Sequence, residues 1–384
     1  MIIGYFIYVI LQIKGFGMII SQITGVNYTF AVFVFLIFLL YTAAGGLWSV
    51  AMVDVYNAFV ILIGVILAAA SVLWAVGGWD QLWLQASMIN TPPTVGAKPT
   101  PPGMLMDPLG TFGLSAMVGI FVANSIGASV SPHWTTRLAS AKNVKVAVTY
   151  PLAGSLFIGV VFLGLLILGL GGRVLIPTMP EGKGTDWLIP ILFTQYMNPI
   201  IGAIALAAIA AAANSTANAM LLHNSLAITY DIIRNLSPRK IDDQTLIRFS
   251  RILMVILGVI ATVLAIHPPK YIAIMAAYVF GLYGSVFIVP YYLGLYWKRG
   301  NRQGAYAATI SGMVLYIVLD TLVKQKVITL PIPAILCAVM VAAILYIICA
   351  YVFPPAPRET YEPFFEAEVS EETKKVWRMA MKEE

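Results

Sequence analysis

The chain has 384 residues, of which 60% are hydrophobic and only 10% charged, with a formal net charge of +6. A soluble domain carries roughly 25% charged residues and must present a polar surface, so this composition excludes an ordinary water-soluble fold. The positive balance is not a nucleic-acid signature either, because the basic residues sit in short loops between apolar runs.

Ten apolar spans are predicted, at about residues 4–25, 28–46, 54–76, 110–130, 146–171, 200–230, 247–266, 271–297, 305–322 and 331–353. They are continuous runs, not ten-residue alternations, which argues for helices over barrel strands. The first has no basic stretch before it and no small-residue cleavage pattern, so it is expected to be a span and not a cleaved leader.

Each polar group inside such a span costs several kcal/mol in hydrocarbon unless it is paired or lines a cavity. Gln12 and Lys14 come first, with Lys14 too deep for easy snorkelling. Lys14 fits a counter-charge for a substrate, or a partner for a carboxylate such as Asp54. Asp54 and Asn57 follow a Gly45-Gly46 break at the start of the third span. A carboxylate there caps a helix or lies on a cation path. Residues 77–109, rich in Pro with Thr and Gly, are expected to form an extracellular or periplasmic cap.

Asn124 and Ser125 lie between Gly119, Gly127 and Pro132. Such interruptions mark a helix that bends or unwinds, freeing backbone groups for a ligand, or simply a glycine-rich packing face. Ala212, Ser215 and Thr216 sit in an Ala-rich span. Neutral hydroxyl and carbonyl oxygens suit a small alkali cation. Ser and Thr in apolar helices also bond back to a carbonyl or let helices pack closely, and that reading stays open. Cys337 and Cys349 are twelve residues apart in one span. That is about 18 Å along a helix, too far for a disulfide. His133, His223 and His267 are dispersed, and no HExxH, CxxC or GxSxG pattern occurs, so no enzymatic constellation emerges.

Lys and Arg placement orients the spans. One set of loops holds Arg137, Lys142, Lys145, Arg234, Arg239, Lys240, Arg248, Lys298, Arg299 and Arg302, and the tail adds Arg358, Lys374, Lys375, Arg378 and Lys382. The alternate loops hold Lys98, Arg173, Lys183, Lys270, Lys324 and Lys326. The basic side is expected to be cytoplasmic, with both termini there. Residues 1–353 form the expected transmembrane domain, and 354–384 a cytoplasmic tail.

Several motifs in order resemble the sodium:solute symporter family. They are YTAAGGLWSVAMVD at 41–54, the loop from Pro132 to Lys142, the Ala-rich stretch 210–222 with Asp231 after it, and YWKRGNRQGA at 296–305. Asn57 stands where the family usually has Gln, and Asn218 and Ala219 where it has Asp and Ser. The resemblance implies an all-α membrane protein of the leucine-transporter type, with two inverted five-helix repeats and sites beside broken helices. The first span then corresponds to the third core helix, and the first core helices are expected to be missing.

By the same resemblance, the Ala212 carbonyl and the Ser215 and Thr216 hydroxyls match sodium ligands. Asp54 matches an acid of the cation path, and Asn124, with Ser125 beside it, a substrate-contacting position. Gly127 and Ala128 replace an aromatic gate, so a small carboxylate or amino acid is expected rather than a sugar, with Gln12 and Lys14 contributing. The implied function is sodium-coupled symport of a small organic solute by alternating access, with sodium as coupling ion, no organic cofactor and no enzymatic activity. Two alternatives remain: a proton-coupled transporter of the same fold, and a non-transporting membrane sensor or inactive fragment.

Overall fold

A computed structural model describes residues 1–110, 113–238, 240–268 and 271–365. The side chains of Tyr41, Ala44 and residues 46–49 and 363–365 lie outside that description. So do Arg239, Lys270 and the tail cations Lys374, Lys375, Arg378 and Lys382.

The described chain is helical, with one isolated bridge between Thr94 and Met179. In order the helices are α1 (Ile2–Thr24), α2 (Tyr28–Phe33), α3 (Phe35–Val76), α4 (Trp79–Met88) and α5 (Gly113–Val122). Then come α6 (Pro132–Ala139), α7 (Val144–Leu175), α8 (Leu188–Gln195), α9 (Pro199–Leu226) and α10 (Arg234–Leu236). The last are α11 (Asp243–Leu264), α12 (Ile272–Tyr296), α13 (Arg302–Lys324), α14 (Ala334–Val352) and α15 (Arg358–Phe365). Among the described residues nine helical segments are long and apolar enough to cross a bilayer, and residues 28–40 form a shorter apolar one. The protein is therefore a multi-pass membrane protein; nine of the ten expected runs correspond to these segments, and the second, 28–46, begins with the shorter one.

Punctuation follows local chemistry. Gly25 ends α1 at φ +71°, a left-handed conformation that glycine adopts without steric cost. Asn27, Asn198, Asp242 and Asn301 each accept a backbone N–H at the start of a helix. Two departures from expectation are informative. The break at Gly45-Gly46 is absent, since α3 runs unbroken through it. Two glycines cost about 1 kcal/mol each in a helix, less than opening backbone hydrogen bonds in hydrocarbon. Asp54 therefore sits nineteen residues inside α3, not at a helix start, and does not act as a cap.

The second departure is that the expected loop 77–109 opens with α4 and is stitched down. Arg173 at the end of α7 donates to the Thr91 carbonyl at 2.6 Å and to Thr100 Oγ1 at 3.3 Å. Thr178 Oγ1 donates to the Pro92 carbonyl at 2.8 Å.

The chain forms two compact units. Unit 1 comprises Met1–Thr111 and Ser155–Ala276. Its central contact joins α3 and α9, where Gly64 lies against Ala208 and the Ile204 carbonyl with no room for a methyl group. Its core includes Ala68, Val72, Leu82, Leu168, Leu192 and Leu206. Unit 2 comprises Phe112–Gly154 and Ala277–Glu384. It is built on the α13–α14 hairpin and on α12, with Gly312 backed onto the Ser285 carbonyl.

Candidate functional site

Unit 1 holds most of the polar residues singled out in the sequence. On α9, Ser215 Oγ and Thr216 Oγ1 both donate to the Ala212 carbonyl at 3.0 Å. Three neutral oxygens thus converge on one turn, and both hydroxyls are half-buried. The geometry follows from sequence spacing, since residues three and four positions on reach the same carbonyl. The hydroxyl protons are directed to that carbonyl, while the oxygen lone pairs remain acceptors.

Two neighbours frame this turn. Helix α1 runs antiparallel to α9. Asn224 Nδ2 donates to the Ile2 carbonyl at 3.2 Å, Tyr5 meets the His223 ring edge-on, and Gly15–Ile19 share a cavity with Ala208–Ala212. Carried along, that register sets half-buried Gln12 at the height of Ser215. Helix α3 also packs on α9, with Gly64 beside Ala208 and with Ala68, Val72 and Val76 in one core with Ala205 and Leu206. Asn57 and Asp54 lie about two and three helical turns before Gly64 on the same helix. Asn57 Nδ2 is buried without a hydrogen-bond partner among the described residues.

Lys14 is placed by a residue the sequence did not single out. Its Nζ lies 2.5 Å from Asp186 Oδ2, with the two side chains only 9% and 18% exposed. Asp186 is thus a carboxylate partner of Lys14. Asp186 sits in a loop turn (Thr185–Trp187) whose sequence carries no local signal for such a contact. Beside the pair opens a cavity of about 300 Å³ lined almost wholly by apolar groups, among them Ile61, Leu165, Leu168 and Phe193, with Ala212 on its wall.

A further polar pair lies on α9 itself, at Asn218, where the family resemblance expects Asp, and Asn214. Asn218 Nδ2 donates to Asn214 Oδ1 at 2.9 Å, and both residues are buried. Asn218 Oδ1 and Asn224 Oδ1 lack partners among the described residues. Buried amide oxygens left open are uncommon and mark places where a ligand or water completes the set.

Unit 2 contains Asn124 and Ser125. The interruption expected there takes the form of a π-helical turn, Ala123–Gly127, and not an unwound stretch. Asn124 Nδ2 donates to the Ile120 carbonyl at 2.9 Å and Ser125 Oγ to the Phe121 carbonyl at 2.6 Å. Both are exposed on the surface of their unit. The turn is seated by Gly127, packed against the Phe280 carbonyl and Gly284 of α12.

Comparison with known proteins supplies the frame for this geometry. Residues 1–312 match a family profile described as the sodium:solute symporter family. The sodium/pantothenate symporter of Escherichia coli (strain K12) is 30% identical over 81% of this chain and 62% of its own length. That of Haemophilus influenzae is 27% identical over 84% of this chain and 64% of its own. The osmoregulated proline transporter OpuE of Bacillus subtilis (strain 168) is 25% identical over 79% of this chain and 59% of its own. The chain thus spans about three fifths of the length of these relatives. Among solved structures, a Na+-coupled sialic acid symporter in a substrate-bound outward-open state superposes with a TM-score of 0.72. It covers 93% of this chain and 74% of its own, at 18% identity. The fold is accordingly of the leucine-transporter type.

Proposed function

The chain belongs to the sodium:solute symporter family, and from that premise we propose that it serves sodium-coupled uptake of a small organic solute. The Ala212 carbonyl and the Ser215 and Thr216 hydroxyls hold the sodium ion. The observation that carries this reading is the convergence of those three oxygens on one half-buried turn. Sodium is a hard cation that takes neutral oxygens, and both hydroxyls turn their lone pairs toward it by rotating about one bond. Asp54 and Asn57, polar groups of α3, the helix packed on α9, extend a polar path for the ion, and Gln12 borders the path from α1.

The solute is a small carboxylate or amino acid. The relatives are named for pantothenate and proline, both of which bear a carboxylate. Lys14 is the cation that would recognise it, and it does so by exchanging Asp186 for the solute. Within unit 2, Asn124 and Ser125 on the π turn are the polar groups we assign to solute contact by the family resemblance. Coupling needs only that sodium and solute both favour one conformation, so that each tightens the other. A potential of about 100 mV then contributes about 2.3 kcal/mol per charge carried inward.

The test is sodium binding to the purified protein, read as the rise in unfolding midpoint over equimolar choline. Ser215→Ala with Thr216→Val should raise the half-saturating sodium about tenfold or more, equivalent to about 1.4 kcal/mol. Unchanged sodium dependence would assign the hydroxyls to helix packing. Uptake of labelled proline or pantothenate driven by a pH gradient and indifferent to sodium would favour proton coupling instead.

A further inference from the structure

A second cavity, of about 680 Å³, lies wholly within unit 2 where α12 ends and α13 begins. We propose that it is a binding site for the phosphate headgroup of an anionic phospholipid. This is separate from the transport reading and rests on different residues.

Three observations converge. The first is charge. Lys298 and Arg302 line the cavity, Arg299 adjoins it, and no carboxylate is among the described residues that line it. Arg302 donates to the phenolic oxygen of Tyr306 at 3.0 and 3.2 Å, a partner that leaves its charge uncompensated. The guanidinium fork suits phosphate oxygens.

The second is a rigid frame. Asn301 is 6% exposed, and its Nδ2 donates to the carbonyls of Cys349 at 3.1 Å, Phe353 at 3.3 Å and Pro354 at 3.2 Å. Its Oδ1 accepts the Gly304 N–H at 2.8 Å. One side chain thereby ties the 298–304 loop to the Pro354-Pro355-Ala356-Pro357 wall, and Arg299 adds a bond to the Ala350 carbonyl at 3.2 Å. The cavity exists before any ligand arrives.

The third is position. The cavity sits at the ends of two candidate membrane spans and is lined by Trp297, Tyr346 and Tyr361, while Tyr296, Tyr306 and Tyr351, all more than half exposed, adjoin its lining residues Trp297 and Arg302. Amphipathic rings at a helix end belong at headgroup level, and basic pockets between helices there take anionic headgroups. A soluble phosphate compound would need no such girdle.

The experiment uses the full chain purified in detergent. Retention of dioleoyl phosphatidylglycerol and of dioleoyl phosphatidylcholine is titrated by native mass spectrometry. The anionic lipid should bind about tenfold tighter, within what two cations at a membrane surface supply. Lys298→Gln with Arg302→Gln should abolish the preference, and Lys298→Arg with Arg302→Lys should keep it. Arg234→Gln with Arg248→Gln, an equal charge loss in unit 1, should leave it unchanged. The proposal is overturned by absence of a preference in the wild type, by equal loss in both glutamine variants, or by displacement of the lipid with millimolar inorganic phosphate. If the first glutamine pair does not fold, the arginine–lysine exchange and the unit 1 variant still decide.

Discussion

Lys14 Nζ and Asp186 Oδ2 stand 2.5 Å apart and tie α1 to the turn before α8, 172 residues further along the chain. Both are largely buried, so removing Lys14 takes from the Asp186 carboxylate its cation, and removing Asp186 takes from Lys14 a short ion pair. Lys14→Met or Asp186→Asn alone should cost about 3 kcal/mol, whereas Lys14→Met with Asp186→Leu should cost distinctly less. A double-mutant cycle on unfolding in one detergent measures this. Additive losses would mean that the pair is not coupled.

Gly127 offers a sharper steric test. A methyl group there would collide with the Phe280 carbonyl, which is backbone and cannot turn aside. Gly127→Ala should destabilise by about 2 kcal/mol, in the range for overpacked sites. Gly154→Ala, where nothing lies within 4 Å, should stabilise α7 by about 0.5–1 kcal/mol. Equal shifts in melting temperature for the two variants would contradict the packing described for α12.

The Lys/Arg bias yields a topology experiment. With an impermeant thiol reagent applied from outside, Pro101→Cys should be labelled and Gln303→Cys protected until the membrane is opened. Both positions are exposed, so accessibility reports sidedness. The reverse pattern would invert the proposed orientation and place the 298–302 cations outside.

Asp242 caps α11, accepting from Thr245 Oγ1 at 2.6 Å and Thr245 N at 2.9 Å. The Thr245 hydroxyl, then its N–H, hold the carboxylate below its usual range. A depressed acid contributes stability that is present above its unfolded pKa and lost as pH falls through the folded one. Amide exchange at Thr245, corrected for intrinsic rate, should be slow at neutral pH and quicken below about pH 4. Asp242→Asn should keep protection and lose the pH dependence. A pH profile unchanged in Asp242→Asn would assign the effect to another group.

The spans were legible because they are long continuous apolar runs, and the turn of Ala212, Ser215 and Thr216 because its three oxygens are sequence neighbours. What the sequence could not reveal depends on distant partners. Nothing near Asp186 announces that Lys14 will reach it. The Gly45-Gly46 pair reads as a break by propensity, yet the helix crosses it because backbone hydrogen bonds outweigh that preference. Asn124 and Ser125 were found by their glycine and proline neighbours, but the type of turn rests on Gly127 meeting α12.

That turn also bears on how this helix compares with others. A π turn holds about one residue more than the α turn it replaces, so it behaves as an insertion that the helix has absorbed. Every position beyond Gly127 is rotated about 100° from where an uninterrupted helix would carry it. Two homologues differing by one residue here would both stay helical, yet their downstream side chains would occupy different faces. Correspondence past this point therefore has to be counted from His133 backward as well as from Gly113 forward, and the two counts part company at Asn124 and Ser125.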